Sequence, residues 1–215
     1  MDKLDTYISY FLLGLSFILF ATTYLANKKS KYYNRFLVFL LTMISIELAS
    51  SYYYRQGNNL FLSHIYFFVR FLTLSFFYRA LLYEFQKRIV DIVFVIVSVI
   101  FVFYHVGGYM DYYHVSAFNP FEVFVCSVPI CIYSVLHVYN SLENKMVFAY
   151  INYGLLIYIT VSTLLFITGF VLNNNENVSK KLALFMWNLN SVFWIICLLL
   201  FIVEWWKNYR PKKIV

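Results

Sequence analysis

The 215-residue sequence contains 62% hydrophobic and 23% aromatic residues but only 13% charged residues. Soluble domains carry about 25% charged residues, and apolar runs of about 20 residues recur along this chain, so the composition excludes a soluble domain and predicts an integral membrane protein. The formal net charge of +7 is assigned to loops that face anionic headgroups rather than to nucleic-acid binding.

Seven apolar segments are long enough to cross a hydrocarbon core of about 30 Å as helices. They cover residues 6–26, 36–54, 60–82, 89–107, 118–139, 147–172 and 182–206. The sequence therefore predicts an all-α polytopic membrane helix bundle with seven transmembrane helices, formed by residues 1–215 as a single domain. The first segment is interpreted as a membrane helix rather than a cleavable signal, because a basic cluster follows it. The fourth segment is almost entirely Val, Ile and Phe and is expected to face lipid.

The distribution of Lys and Arg predicts the orientation of these spans. Most basic residues follow the first, third, fifth and seventh spans, namely Lys28, Lys29, Lys31, Arg35, Arg79, Lys87, Arg88, Lys145, Lys207, Arg210, Lys212 and Lys213. By the positive-inside rule, the N-terminus is predicted to be outside and the C-terminus cytoplasmic. Trp205, Trp206 and Tyr209 precede the last basic residues, which is typical of an aromatic anchor at a headgroup boundary.

Two ionisable residues lie well inside apolar spans, Glu47 in the second and Arg70 in the third. A charge near the bilayer centre costs about 2.5–3.5 kcal/mol on insertion scales and is by default a functional candidate. Glu47 is expected roughly 12 Å and Arg70 roughly 15 Å below the outer boundary. Because consecutive helices are usually neighbours, the sequence predicts an ion pair between the two residues.

Further polar side chains are expected at a similar depth from at least four helices, including Ser127 beside Cys126 in the fifth span. The predicted ligand-binding residues are Glu47, Arg70, Asn188, Asn190, His64, Ser51, Ser162, Thr163 and Trp187. Such a layer is typical either of a water-accessible pocket that opens outward or of hydrogen bonds that hold the helices together. The inner half of the bundle is predicted to be apolar, so a pocket would end at the ion pair rather than continue as a pore.

The sequence shows no pattern typical of a metal, cofactor or hydrolase site. A retinal protein needs a lysine within its last helix, whereas the last span here has lysines only at its ends. His64 stands alone and no His-Glu-x-x-His occurs, so no metal is predicted. The three cysteines, Cys126, Cys131 and Cys197, lie in apolar runs and are interpreted as free thiols. A Ser-His-acid triad would have to be built from His64, Glu47 and either Ser50 or Ser51.

The layout resembles small seven-helix bacterial integral membrane proteins of unassigned function. The resemblance is carried by the short loops, the outside N-terminus and the last span, which contains Trp187-Asn-Leu-Asn-Ser-Val-Phe-Trp194 and ends in Trp205-Trp206-Lys207. Such proteins resemble the sensory membrane modules of signalling kinases. The resemblance implies a multi-pass protein of the bacterial inner membrane, and it transfers no residue roles.

The leading hypothesis is a non-enzymatic membrane sensor or accessory protein with an outward-facing polar pocket around the Glu47–Arg70 ion pair. Its ligand would be a small molecule or a lipid, and it would signal through a membrane or cytoplasmic protein partner, with no cofactor. One alternative is a membrane enzyme that acts on a lipid or an isoprenoid, with Glu47 as acid and base. The other alternative is a structural subunit of a membrane complex, in which the fourth and fifth spans form the interface.

Overall fold

The computed structural model describes residues 3–27, 30–56, 61–106, 119–142, 146–173 and 180–211. Within these residues the chain forms eight α-helices and no strand, which confirms the all-α class. The helices are α1 (Lys3–Thr22), α2 (Tyr24–Asn27), α3 (Lys31–Arg55), α4 (Phe61–Leu81), α5 (Glu84–Val106), α6 (Pro120–Asn140), α7 (Ala149–Asn173) and α8 (Lys180–Glu204). A π-helical turn (Trp205–Tyr209) follows α8. Of the basic residues used to predict orientation, Lys28, Lys29, Lys145, Lys212 and Lys213 lie outside the described residues.

Six helices, α1, α3, α4, α6, α7 and α8, have described parts that are long and apolar enough to cross a membrane. The helix that corresponds to the predicted fourth span, α5, begins at Glu84 rather than at residue 89. Its first two turns therefore contain Glu84, Lys87, Arg88 and Asp91. Helices suit a membrane because they satisfy their backbone hydrogen bonds internally. The chain is thus a helical membrane bundle.

The six membrane-length helices form a closed ring. In order around it, α1 packs against α3, α3 against α4, α4 against α6, α6 against α7, α7 against α8 and α8 against α1. α5 lies outside this ring, against α4 and α6. Val90 and Val97 of α5 are buried, whereas Val95, Val99 and Phe103 are exposed. This exposure agrees with the prediction that the segment faces lipid, because apolar side chains are at home in lipid tails.

The two ends of the ring are named here after the predicted orientation. The outer end is where α4, α6 and α8 begin, and the inner end is where α3, α5 and α7 begin. α4 and α6 consequently run in the same direction and are parallel neighbours in the ring. This arrangement matters for the site, because side chains at matching heights on α4 and α6 can meet repeatedly along the two helices.

Aromatic rings fill the inner end of the bundle. Phe148, immediately before α7, is fully buried and has a φ of 58°. A left-handed backbone conformation costs an L-residue about 1–2 kcal/mol. The ring of Phe148 contacts six other rings, those of Phe20, Tyr32, Tyr33, Phe36, Phe77 and Tyr209. These contacts offset the backbone strain and tie the start of α7 to α1, α3 and α4.

The prediction of an apolar inner half is wrong. Tyr78 of α4 donates a hydrogen bond to Asn152 Oδ1 of α7 at 2.8 Å, and Ser134 of α6 donates to the same oxygen at 2.9 Å. Asn152 Nδ2 in turn donates to the Ser134 carbonyl at 3.3 Å. These three buried side chains form the inner hydrogen-bond network, which joins α4, α6 and α7. Each residue lies singly within an apolar run, so the sequence carries no periodic signal for their meeting.

Candidate functional site

Arg70 of α4 lies in the middle of the bundle and is 3% exposed. Its Nη2 donates to Ser127 Oγ of α6 at 2.9 Å, and its Nη1 donates to the Tyr66 hydroxyl at 3.3 Å. The guanidinium carbon lies 5.0 Å from the centroid of the Tyr66 ring and 5.3 Å from that of Phe67. Hydroxyl groups and aromatic faces, which stabilise a cation electrostatically, therefore surround the charge.

The structure does not form the predicted ion pair between Glu47 and Arg70. In the described parts of the chain, ion pairs join His64 to Glu122, Arg79 to Asp91 and Lys87 to Glu84. Glu47 and Ser51 of α3 instead interact with Tyr10 of α1. The predicted pair does not form because of how each helix is rotated about its own axis. Counting residues predicts how deep a side chain lies along a helix, but α4 turns Arg70 toward α6 and α3 turns Glu47 toward α1.

Among the residues that the structure describes, no carboxylate pairs with Arg70. Its further electrostatic neighbours are Tyr158, Cys126 and Cys197, which are hydroxyl and thiol groups. Burying a charge is costly unless a counter-charge and hydrogen bonds compensate for it. A deeply buried guanidinium with only uncharged partners is therefore the most unusual electrostatic feature of the described bundle.

A chain of contacts links Arg70 to the opposite side of the ring. The Tyr66 hydroxyl lies 3.2 Å from the hydroxyl of Tyr158 on α7. The Tyr158 ring lies 4.8 Å, centroid to centroid, from the indole of Trp194 on α8. Arg70 is thus connected through two tyrosines to the seam between α7 and α8.

Polar side chains on α7 and α8 lie one helical turn from Tyr158 and Trp194, toward the outer end. Ser162 follows Tyr158 by four residues on α7, and Asn190 precedes Trp194 by four on α8. The oxygens Ser162 Oγ, Asn188 Oδ1 and Asn190 Oδ1 are buried and have no hydrogen-bond partner among the described residues. An unsatisfied buried polar group costs about 1–3 kcal/mol, and such groups normally bind water or a ligand. Together with Arg70, Tyr66, Ser127 and Tyr158, the residues Ser162 and Asn190 are referred to as the Arg70 site.

The remaining predicted site residues lie in different surroundings. Thr163 donates to the backbone carbonyl of Ile159 in its own helix at 2.7 Å. Trp187 is partly exposed and its ring meets that of Phe166 at 5.7 Å. His64 is buried nearer the outer end of α4. Ser162 and Asn190 thus lie one turn outward from Tyr158 and Trp194, whereas Glu47 and Ser51 interact with Tyr10 of α1.

Sequence reasoning missed the partner of His64. His64 Nδ1 and Glu122 Oε2 form a buried hydrogen-bonded pair between α4 and α6, with the two side chains 2% and 3% exposed. The His64–Glu122 contact repeats, nearer the outer end, the Arg70–Ser127 contact between the same helices. The similar spacings, from 64 to 70 and from 122 to 127, could have indicated parallel packing of these two spans. We instead expected spans that are consecutive in the sequence to be neighbours in the bundle.

The cysteines are free, with Cys126 and Cys197 buried and Cys131 partly exposed. A narrow crevice between α5 and α6 is lined by apolar side chains together with Glu122 and Cys126. In the described part of the chain, no three His, Cys, Asp or Glu side chains are grouped so that they could hold a metal ion.

Comparisons of this chain with protein-family models, with curated proteins and with solved structures give no match. The resemblance in layout to sensory membrane modules is therefore not confirmed, and the site's own geometry is the basis for any functional conclusion.

Proposed function

We propose that this chain is a non-enzymatic membrane sensor or accessory protein that binds a polar ligand at the Arg70 site, from the outer side of the membrane. One observation carries the proposal, namely that the buried Arg70 guanidinium has no carboxylate partner among the described residues. Buried oxygens without a described partner lie on the helices that its contact chain reaches, one turn outward from Tyr158 and Trp194. A polar ligand would supply hydrogen bonds that the described side chains do not supply. Polar residues within a membrane span are by default candidates for such a function.

The proposal includes seven spans, with the N-terminus outside and the C-terminus in the cytoplasm, in a cell membrane of a bacterium. α5 supplies the seventh span, since 23 helical residues extend about 34 Å at 1.5 Å per residue. The charge distribution supports the orientation, because seven described cations lie at the inner end and four at the outer end. The seven are Lys31, Arg35, Arg79, Lys87, Arg88, Lys207 and Arg210, and the four are Lys3, Arg55, Lys180 and Lys181.

Ligand binding would be transmitted through α6. Ser127 of α6 binds Arg70 directly, and Pro129 interrupts the same helix two residues later. Proline removes a helical hydrogen bond and makes the helix easier to bend at this point. At the inner end, Ser134 couples α6 to Tyr78 and Asn152. A ligand that draws Arg70 away from Ser127 would therefore shift α6 relative to α4 and α7, and a partner protein at the inner face would sense the shift.

A second candidate function is a structural subunit of a membrane complex. The observation that favours it is the position of α5, which lies outside the ring and exposes apolar residues such as Val95, Val99 and Phe103. A neighbouring membrane helix could cover this face. Co-purification of a stoichiometric partner from native membranes, lost when Val99 is replaced by a bulky residue, would favour this candidate over the sensor.

Cysteine accessibility tests the proposed pocket. In a variant whose three native cysteines are replaced by alanine, Ser162→Cys and Asn190→Cys are expected to react with a charged, membrane-impermeant thiol reagent added from outside. Water must reach these positions if a polar ligand does. The matched control is Leu155→Cys, which is buried two turns further inward on α7 and is expected not to react. Reaction of Ser162→Cys and Asn190→Cys only after denaturation would contradict the proposal and favour a purely structural polar layer.

A further inference from the structure

We infer that the ligand of the Arg70 site is a small hydroxycarboxylate, a molecule with one carboxylate and one hydroxyl group. The inference rests on the proposed function, because it names the ligand class of the same site. Three features of the site carry it: the net charge, the donors that the guanidinium still offers, and the buried acceptors one helical turn outward from Tyr158 and Trp194.

The charge of the surroundings indicates a ligand with a single negative charge. Arg70 contributes one positive charge and its described neighbours are uncharged hydroxyl, thiol and aromatic groups. The nearest buried acid and base on the same two helices, His64 and Glu122, are hydrogen-bonded to each other rather than to Arg70. Glu47 faces Tyr10 on α1. One anionic charge therefore balances the site, and a second would itself be buried without compensation.

The geometry of the guanidinium indicates a carboxylate. A guanidinium offers five N–H donors in a planar fork, and Arg70 uses one hydrogen bond from each terminal nitrogen, to Tyr66 and to Ser127. The other N–H groups can bind two oxygens side by side, which is the geometry of a carboxylate. A phosphate monoester offers similar oxygens but carries a charge of about −1.5 to −2 at neutral pH, more than a single arginine balances.

The buried oxygens of the outer turn indicate a hydroxyl on the ligand. Asn188 Oδ1 and Asn190 Oδ1 accept hydrogen bonds, and Ser162 Oγ both accepts and donates. Their partner must therefore offer a donor that a simple fatty acid lacks. A hydroxyl adds such a donor without adding charge, whereas an ammonium group would cancel the charge that balances Arg70.

Thermal unfolding of the purified full-length chain in detergent tests the ligand class. The probes are 4-hydroxybutyrate, butyrate, 1,4-butanediol, inorganic phosphate and dodecanoate. We expect 4-hydroxybutyrate to raise the Tm in a saturable manner, butyrate to require about tenfold higher concentration because one hydrogen bond is lost, and butanediol to have no effect. Arg70→Gln should abolish the response, whereas Arg79→Gln, which changes a half-buried arginine at the inner end, should retain it.

Ser162→Ala provides a test that does not depend on the folding of the Arg70 variant. It should reduce the affinity for 4-hydroxybutyrate to that for butyrate and leave the affinity for butyrate unchanged. A Tm response to phosphate or dodecanoate alone, an equal response in Arg70→Gln, or no response to any probe would overturn the inference. If the Ser162→Cys and Asn190→Cys variants nevertheless react with the thiol reagent, the proposed pocket stands and only the ligand class fails.

Discussion

At the scale of single residues, the ionisable side chains of this bundle differ in how their charge is compensated. His64 and Glu122 are buried and compensate each other. Arg79 and Asp91 form an ion pair, with distances of 2.5 and 3.0 Å, that is about half exposed. Arg70 is buried and has only neutral partners among the described residues. Energetic cost and functional importance are therefore expected to rise from Arg79 to His64 and then to Arg70.

The first prediction concerns the His64–Glu122 pair. His64→Leu is expected to lower the free energy of unfolding by about 3 kcal/mol, because the buried Glu122 carboxyl would lose its hydrogen bond to His64. The double variant His64→Leu/Glu122→Leu should recover most of this loss, since no buried charge is left. Chemical denaturation of the single and double variants in detergent gives the coupling energy of the pair.

The matched control for this double-mutant cycle is the half-exposed Arg79–Asp91 pair at the inner end. Arg79→Leu and Asp91→Leu should each change the free energy of unfolding by no more than about 1 kcal/mol, because solvent and headgroups screen that interaction. If the losses from His64→Leu and Glu122→Leu were simply additive in the double variant, the pair would not be an energetic unit.

At the scale of secondary-structure elements, the last turn of α8 caps the first turn of α7. Glu204 is fully buried and accepts hydrogen bonds from the backbone N–H of Tyr150 at 2.9 Å and from Asn208 Nδ2 at 2.6 Å. The first N–H groups of a helix have no partner within the helix, and its N-terminus favours a negative charge. A carboxylate from a distant helix therefore completes α7, and it fastens α7 and α8 together at the inner end.

The second prediction follows from this cap. Glu204→Ala is expected to lower the free energy of unfolding by about 1–2 kcal/mol, the usual range for the loss of a helix cap. Glu204→Gln should cost less, because its amide oxygen still accepts from Tyr150. Glu84→Ala serves as the control, since Glu84 is exposed and forms an ion pair with Lys87 three residues away in its own helix; its effect should remain within about 0.5 kcal/mol. Equal effects of Glu204→Ala and Glu84→Ala would show that the cap is not stabilising.

At the scale of the whole molecule, the ring of six helices and the outlying α5 determine how the chain crosses the membrane. The helices of the ring bury polar side chains such as Arg70 and Asn152, while α5 presents apolar residues outward. If α5 crosses the membrane, the chain has seven spans and its termini lie on opposite sides. If α5 does not cross, the chain has six spans and its termini lie on the same side.

The third prediction is that the two termini lie on opposite sides of the membrane, with the C-terminus in the cytoplasm. A C-terminal fusion to a fluorescent protein that folds only in the cytoplasm should therefore fluoresce in a bacterial host. Asp2→Cys, in the variant without native cysteines, should react with an impermeant thiol reagent added from outside. We expect this orientation because lysine and arginine are more numerous at the inner end than at the outer end. Reaction of Asp2→Cys only after the cells are permeabilised would contradict the seven-span topology.

The sequence by itself determined the class of molecule, the all-α structure and the approximate position of every long helix. These properties are local, because the length and hydropathy of one apolar run are sufficient to predict a membrane helix. The same local counting identified Arg70 as a buried charge and Ser162 and Asn190 as polar residues in the outer half. It also anticipated the exposure of the fourth segment.

Only the tertiary structure decided which side chains meet. It turned Arg70 toward Ser127 rather than Glu47, paired His64 with Glu122, and joined Tyr78 and Asn152 in an inner half that the sequence had suggested was apolar. Depth in a membrane follows from 1.5 Å of rise per residue along a single helix. Rotation about the helix axis and the choice of neighbour depend instead on how all the helices pack together, and no single segment of the sequence contains that information.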